Sequence, residues 1–181
     1  MHNNDVLWAP WRMDFIADPH GEKNADCDAE SLRVFPGGDE KCFICQAIAD
    51  DRGTEHDLRR HVFFRSEFSI GILNRFPYNN GHLLIAPKRH IARLSDLTEH
   101  EQLDLLRSIT HWVVRLEEIM DPNGFNVGIN LGHAAGAGLP GHLHWHIVPR
   151  WVGDTNYITA IGSTKVIPQS LDALWKILVD E

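Results

Sequence analysis

Apolar residues in this chain fall into several short runs and one long periodic stretch. Residues 61–65 and 68–73 are rich in Val, Ile and Phe, the composition of strands. The turn formers Asn74-Arg75-Phe76-Pro77-Tyr78-Asn79-Asn80-Gly81 follow, and 82–86 is apolar again. Residues 125–130 and 142–148 read as two further strands, separated at 132–141 by a loop with four Gly and one Pro. The periodic stretch begins after Thr98, which forms a capping box with Glu101, a helix-start signal. Leu103, Leu106, Ile109, Val113, Leu116 and Met120 then recur at three- and four-residue steps, which predicts a buried helical stripe ended by Asp121-Pro122. A short helix is expected after Cys42, and a last one from Ser170 as N-cap through Leu171, Leu174, Trp175 and Leu178. Short connections between strands, with one long helix between the third and the fourth, predict an α+β domain with a mostly antiparallel sheet.

At 181 residues the length predicts one domain, with 1–41 as an N-terminal extension or insertion, 42–150 as the core and 151–181 as a C-terminal extension. Residues 18–41 are polar and rich in Gly, Asp and Asn, and read as a loop whose Cys27 is an incidental surface thiol. Apolar residues make up 43% and charged residues 23%, ordinary for a soluble protein. No apolar run is long enough for a membrane helix, and the start lacks the basic and apolar regions of a secretory signal. Seventeen basic against 25 acidic residues give a net charge of −8, which argues against nucleic acid or a membrane surface as partner but leaves room for a small anion in a local basic pocket. Three cysteines, two of them as Cys42-x-x-Cys45, indicate a reducing, cytoplasmic setting and half of a metal site. Twelve histidines are the unusual figure.

Gly141-His142-Leu143-His144-Trp145-His146-Ile147-Val148 carries the most chemistry. Alternation in a strand places His142, His144 and His146 on one face and Leu143, Trp145 and Ile147 on the other. Three readings fit the spacing: polar residues on an open face, a three-histidine metal site, or one nucleophilic imidazole supported by the others.

The pattern His-x-His-x-His followed by two apolar residues resembles the histidine-triad (HIT) superfamily. Leu7-Trp8-Ala9-Pro10-Trp11-Arg12, Cys42-Phe43-Ile44-Cys45, Gly81-His82 through His90, Gly128-Ile129-Asn130-Leu131-Gly132 with Ala135-Gly136-Ala137-Gly138, and Pro149-Arg150-Trp151-Val152-Gly153-Asp154-Thr155-Asn156 resemble segments of its diadenosine-tetraphosphate phosphorylase and dinucleoside-polyphosphate hydrolase branch. The resemblance implies a HIT-like fold and gives His144 the role of nucleophile toward an α-phosphorus, with His146 donating to the phosphate or leaving oxygen. It sets Asn130 against the phosphate region and Asn74 near ribose and phosphates, although Asn74 also suits a plain turn. Loop amides from Gly136 through Gly138 to Gly141 would approach a phosphate, and Gly138 stands near where relatives carry a side-chain donor. It also implies a structural zinc on Cys42, Cys45, His90 and His142, against the alternative of two buried free thiols. Trp145 is assigned to core or dimer interface, and Lys88, Arg89 and Arg150 to solvated charge.

The resemblance thus implies nucleotidyl transfer from a dinucleoside polyphosphate, diadenosine tetraphosphate phosphorolysis to ADP and ATP being favoured. Alternatives are an asymmetric hydrolase, a nucleoside phosphoramidase, and a non-enzymatic nucleotide sensor using the same pocket. Family members usually pair, so a homodimer is expected, with Trp112 on the exposed part of the long helix as its weak support in the sequence.

Overall fold

The computed structural model describes residues 34–156 and 166–180, with residues 159 and 161 between them. The motif at 7–12, Cys27 and most of the 18–41 segment lie outside the described residues. Two short helices, α1 (Phe43–Ala49) and α2 (Thr54–Arg60), lead into β1 (Val62–Arg65), β2 (Ser69–Leu73) and β3 (Leu83–Pro87); α3 (Glu99–Met120), β4 (Gly124–Ile129), β5 (Trp145–Arg150) and α4 (Leu171–Val179) follow. The strands form one five-stranded sheet in the order β1-β2-β3-β5-β4, antiparallel at every pairing.

Strand alternation divides the core into two layers. Leu73, Leu83, Ile85, Leu143 and Ile147 point to one face, under Leu105, Ile109, Trp112 and Leu116 of α3 and Leu174, Trp175 and Leu178 of α4. Val62, Ile70, Ile72 and Ala86 point to the other, where Ile44, Cys45 and Ala47 of α1 cover them. Each such large apolar side chain contributes on the order of 1.5–3 kcal/mol on burial. Phe63 and Trp112 meet edge-to-face at 4.5 Å, and the Trp175 indole donates to the Val62 carbonyl, tying α4 to β1.

The helix stripe differs from the expected one by a rotation. Ile109 and Leu116 are buried and Val113 and Met120 half-buried, but Leu103 and Leu106 are exposed and Leu105 takes the core position. Trp112 is 5% exposed and belongs to the core, so it is no dimer surface. At 3.6 residues per turn either Leu105 or Leu106 can share a face with Ile109, and with Trp112 packed on Phe63 and Phe64 it is Leu105 that is buried. The predicted capping box is present: Thr98 Oγ1 accepts from the Glu101 amide while Glu101 accepts from the Thr98 amide. Ser170 caps α4 in the same way. No described helix is long and apolar enough to cross a membrane.

Glu101 also takes two hydrogen bonds from Arg89, both at 2.6 Å. The Arg89 bonds, opposed by burial and helped by Thr98, hold its carboxyl at about 2 against an ordinary 4.5. Its contribution is therefore present above about pH 4.5 and lost as the pH falls toward 2. Glu101→Gln should lower unfolding free energy at pH 7 by about 2 kcal/mol and flatten the acid limb between pH 4.5 and 2, measured by urea titration at several pH values.

Candidate active site and metal centre

The regular strand β5 begins at Trp145, not at His142 as the alternation suggested. The cause is local. The His142 amide donates to Leu139, the Leu143 amide to the Ile91 carbonyl at 2.8 Å, and the His142 Nε2–H to the Pro87 carbonyl at 2.8 Å. These bonds draw residues 142–144 along the end of β3. The three histidines therefore do not form one row: His142 turns to the cysteines, while His144 and His146 stay together with ring centroids 5.1 Å apart.

Cys42 is the N-cap of α1 and its Sγ accepts from the Cys45 amide at 3.4 Å, so the helix start sets both sulfurs on one side. His142 Nδ1 lies 3.3 Å from Cys42 Sγ and 3.6 Å from Cys45 Sγ; His90 Nδ1 lies 3.2 Å from Cys45 Sγ. All four ligand atoms fall within 4.8 Å of one another. A tetrahedral ion with ordinary metal–sulfur and metal–nitrogen lengths requires S···N edges of about 3.6 Å, so the set fits a Cys2His2 metal centre. Donation from His142 Nε2 to Pro87 leaves Nδ1 its lone pair for a metal, the usual outer support of a ligating imidazole. Burial, with the neighbouring Cys45, pushes the Cys42 thiol up to about 12, and a cation would supply the positive charge that a thiolate needs. Gly141 makes room for this cluster: a Cβ there would stand 3.3 Å from His90 Nε2.

His144 is 6% exposed. Its Nδ1–H donates to the His142 carbonyl at 2.8 Å, which places the lone pair on Nε2. Burial lowers its pKa, with the carbonyl bond opposing, so the ring is neutral at pH 7 and nucleophilic without prior deprotonation. The ring therefore presents an unprotonated Nε2.

Sequence reasoning missed His82. It is 1% exposed and held at about 3 by burial and by the neighbouring His146 and His144. Its Nδ1 accepts from the Tyr78 amide at 3.0 Å, so its proton sits on Nε2, which donates to His146 Nδ1 at 2.9 Å. His146 must then carry its own proton on Nε2, as a donor. A histidine at the start of a buried strand was the signal, since a buried imidazole needs a polar partner.

Asn74 lies against this pair, with Nδ2 3.2 Å from His82 Nδ1 and Oδ1 accepting from the Phe76 amide. Asn130 is half-buried, one residue past the last ladder pair Ile129–Trp145. The Gly136 amide donates to His133 within the loop; Gly136 is exposed and Gly138 half-buried. The cations set aside in the sequence are all engaged: Lys88 with the Ser66 carbonyl, Arg89 with Glu101, Arg150 with Asp154 and Asn126. Trp145 is half-buried against the α3-side core.

Residues 55–152 match the family model described as HIT domain. The chain is 36% identical over 175 residues to an AP-4-A phosphorylase of Mycobacterium tuberculosis, covering 97% of this chain and 83% of the relative. It is 38% identical over 93 residues to the asymmetrical bis(5'-nucleosyl)-tetraphosphatase of Schizosaccharomyces pombe, covering 51% and 50%. Among solved structures, a Zn-bound histidine triad family protein from Mycobacterium smegmatis superposes with a TM-score of 0.60 at 24% identity, over 77% of this chain and 91% of that one, a likeness of fold.

The purified protein should carry one divalent metal per chain by elemental analysis. Cys45→Ser or His90→Ala should lose it, and chelation should lower the thermal midpoint of the parent chain but not of Cys45→Ser.

Proposed function

The chain belongs to the HIT domain family, and on that premise we propose that it cleaves dinucleoside polyphosphates through a nucleotidyl-His144 intermediate, transferring the nucleotide to inorganic phosphate. The observation that carries this reading is the pair of tautomers: a lone pair on His144 Nε2 beside a proton on His146 Nε2. His144 Nε2 attacks the α-phosphorus of diadenosine tetraphosphate, the P–O bond to the remaining polyphosphate breaks, and ATP leaves as an anion. His146 Nε2–H stabilises the charge on the phosphoryl or leaving oxygen, and the His142 carbonyl stabilises the positive charge that develops on His144. Phosphate oxygen then attacks phosphorus, the N–P bond breaks, neutral His144 is restored and ADP departs. Asn74, Asn130 and the loop at Gly136 and Gly138 complete the substrate site in this reading, with no metal in the chemical steps.

Zinc is the proposed metal, in a structural role. Four protein donors of the S2N2 type close the tetrahedron and leave no position for substrate. Thiols kept as ligands fit a reducing cytoplasm. The whole chain is taken as one domain, since α4 of the C-terminal extension shares the α3-side core.

The proposed assembly is a homodimer. Helix α3 packs over β2, β3 and β5, and among the described residues β4 pairs only with β5. Val127 faces the same side as Ile147 yet is 47% exposed, as are Leu103 at 47% and Leu106 at 62%. Beside Leu106 an apolar groove runs past Leu94 and Leu105 to Trp145. An open edge strand next to an uncovered apolar face is completed by a two-fold copy of itself.

Incubation with diadenosine tetraphosphate should give ADP plus ATP only when phosphate is present, read by ion-exchange chromatography, and His144→Ala should abolish turnover with the fold intact. AMP plus ATP regardless of phosphate would make water the acceptor; binding without turnover would favour the sensor reading. By light scattering the parent chain should have the mass of two chains, and Val127→Lys with Leu106→Glu that of one; a monomeric parent would remove the dimer.

A further inference from the structure

The segment after β5 holds a polar hub that the chemistry above does not use. Asp154 lies two residues beyond the family-model match at 55–152, and its side chain is 7% exposed. Its Oδ2 accepts from Arg150 Nε at 2.6 Å, Asn79 Nδ2 at 2.8 Å and the Trp151 amide at 3.2 Å. Its Oδ1 accepts from Arg150 at 3.0 Å and Thr155 Oγ1 at 3.2 Å. A surface ion pair with Arg150 would need none of the other donors.

Asn79 is the informative partner. It is 6% exposed and its Nδ2 is shared between Asp154 and the Pro149 carbonyl at 2.9 Å, so both amide protons are fixed from the β5 side. The residue before it, Tyr78, supplies the backbone N–H that fixes the His82 tautomer, and its ring rests 4.8 Å from His82 and 5.8 Å from His146. Two residues further on, Gly81 has φ +76°, and a Cβ there would come within 2.8 Å of Met120 Sδ and 3.0 Å of Pro149 Cγ. The 74–81 turn is thus pinned at Asn79 and at Gly81, and the Tyr78 amide lies directly before the first of these pins.

We propose that Asp154 is a positioning residue for the His82–His146 pair, acting through Asn79 and the 74–81 turn. Without the Asp154 acceptor, Asn79 is held by the Pro149 carbonyl alone and the Tyr78 amide can swing off His82 Nδ1. A neutral His82 is then free to carry its proton on Nδ1. Its bare Nε2 would face His146 Nδ1, and His146 would adopt the Nδ1–H tautomer to meet it, removing the proton from Nε2. The consequence for rate rests on the function proposed above; the consequence for the tautomers does not.

The test is long-range proton–nitrogen NMR of the imidazoles in the metal-loaded full chain at pH 7, with His82→Gln and His146→Gln for assignment. The parent chain should show Nε2–H on both rings. Asp154→Ala and Asn79→Ala should show mixed tautomers, with kcat on diadenosine tetraphosphate down at least about ten-fold and KM within about two-fold. Asp154→Asn keeps an oxygen for Asn79 while weakening the Arg150 pair, so it should keep the parent tautomers even where its melting point falls. Unchanged tautomers in folded Asp154→Ala would overturn the proposal, as would a kcat loss that follows melting point across the three variants. If Asp154→Ala does not fold, Asn79→Ala decides the same point. If the parent chain turns over no dinucleoside polyphosphate, the function fails while the NMR result still stands.

Discussion

The conformation of His142 governs the rest of the site. Its side chain has two nitrogens and each has a separate duty: Nδ1 faces the two cysteines and Nε2–H the Pro87 carbonyl. Its backbone carbonyl has a third, accepting the Nδ1–H of His144. One residue therefore links α1, the end of β3 and His144. A metal on the first nitrogen would fix the ring, the ring fixes the backbone, and the backbone fixes which nitrogen of His144 is bare. Mobility at this residue would reach the His144 ring through a single peptide unit.

The second constraint is that buried imidazoles cannot be left to choose their protons. In water a histidine exchanges tautomers and titrates near neutrality. Here desolvation holds His82 at about 3 and His142 at about 4, so neither becomes cationic at pH 7. Neutral rings leave two tautomers each, and only backbone groups break the tie: the Tyr78 amide for His82 and the His142 carbonyl for His144. Backbone groups do not titrate, so the order they impose is the same across the working pH range. The cost is borne in acid, where an unfolded chain takes up protons that the buried rings refuse, and stability falls as the pH drops below about 6.5.

Much of this was legible in the sequence, for identifiable reasons. The capping box at Thr98, the Ser170 cap and the strand runs are local signals, and local energetics decided them. The clustering of Cys42, Cys45, His90 and His142 was legible through resemblance, since spacing alone joined Cys42 only to Cys45; His90 and His142 reach them across 45 and 100 residues. The errors were tertiary. Leu106 and Trp112 exchanged expected environments because packing against Phe63 and Phe64 chose the register of α3. Helix α2 was overlooked: it buries no residue and so leaves no apolar period to read. His82 was overlooked because its partner His146 lies 64 residues away, a distance that no periodicity crosses.

The two sheet faces are finished in opposite ways around the same strand, and this explains where the chemistry can sit. On the α3 side β5 presents Trp145 and Ile147 to packed helices. On the other side His146 stands across the ladder from Gly128, and nothing lies within 4 Å of where a Cβ on Gly128 would be. Strand propensity disfavours a glycine there, so the position forgoes local stability to leave space beside the donor histidine. Towards β3 that face is closed by α1 and the Cys42, Cys45, His90 and His142 cluster, and towards β4 it opens. Asn130, half-buried and one residue past the Ile129–Trp145 pair, lies at the end of β4 on that open side. One flank of the histidine pair is thus closed by packed structure and the other is left open.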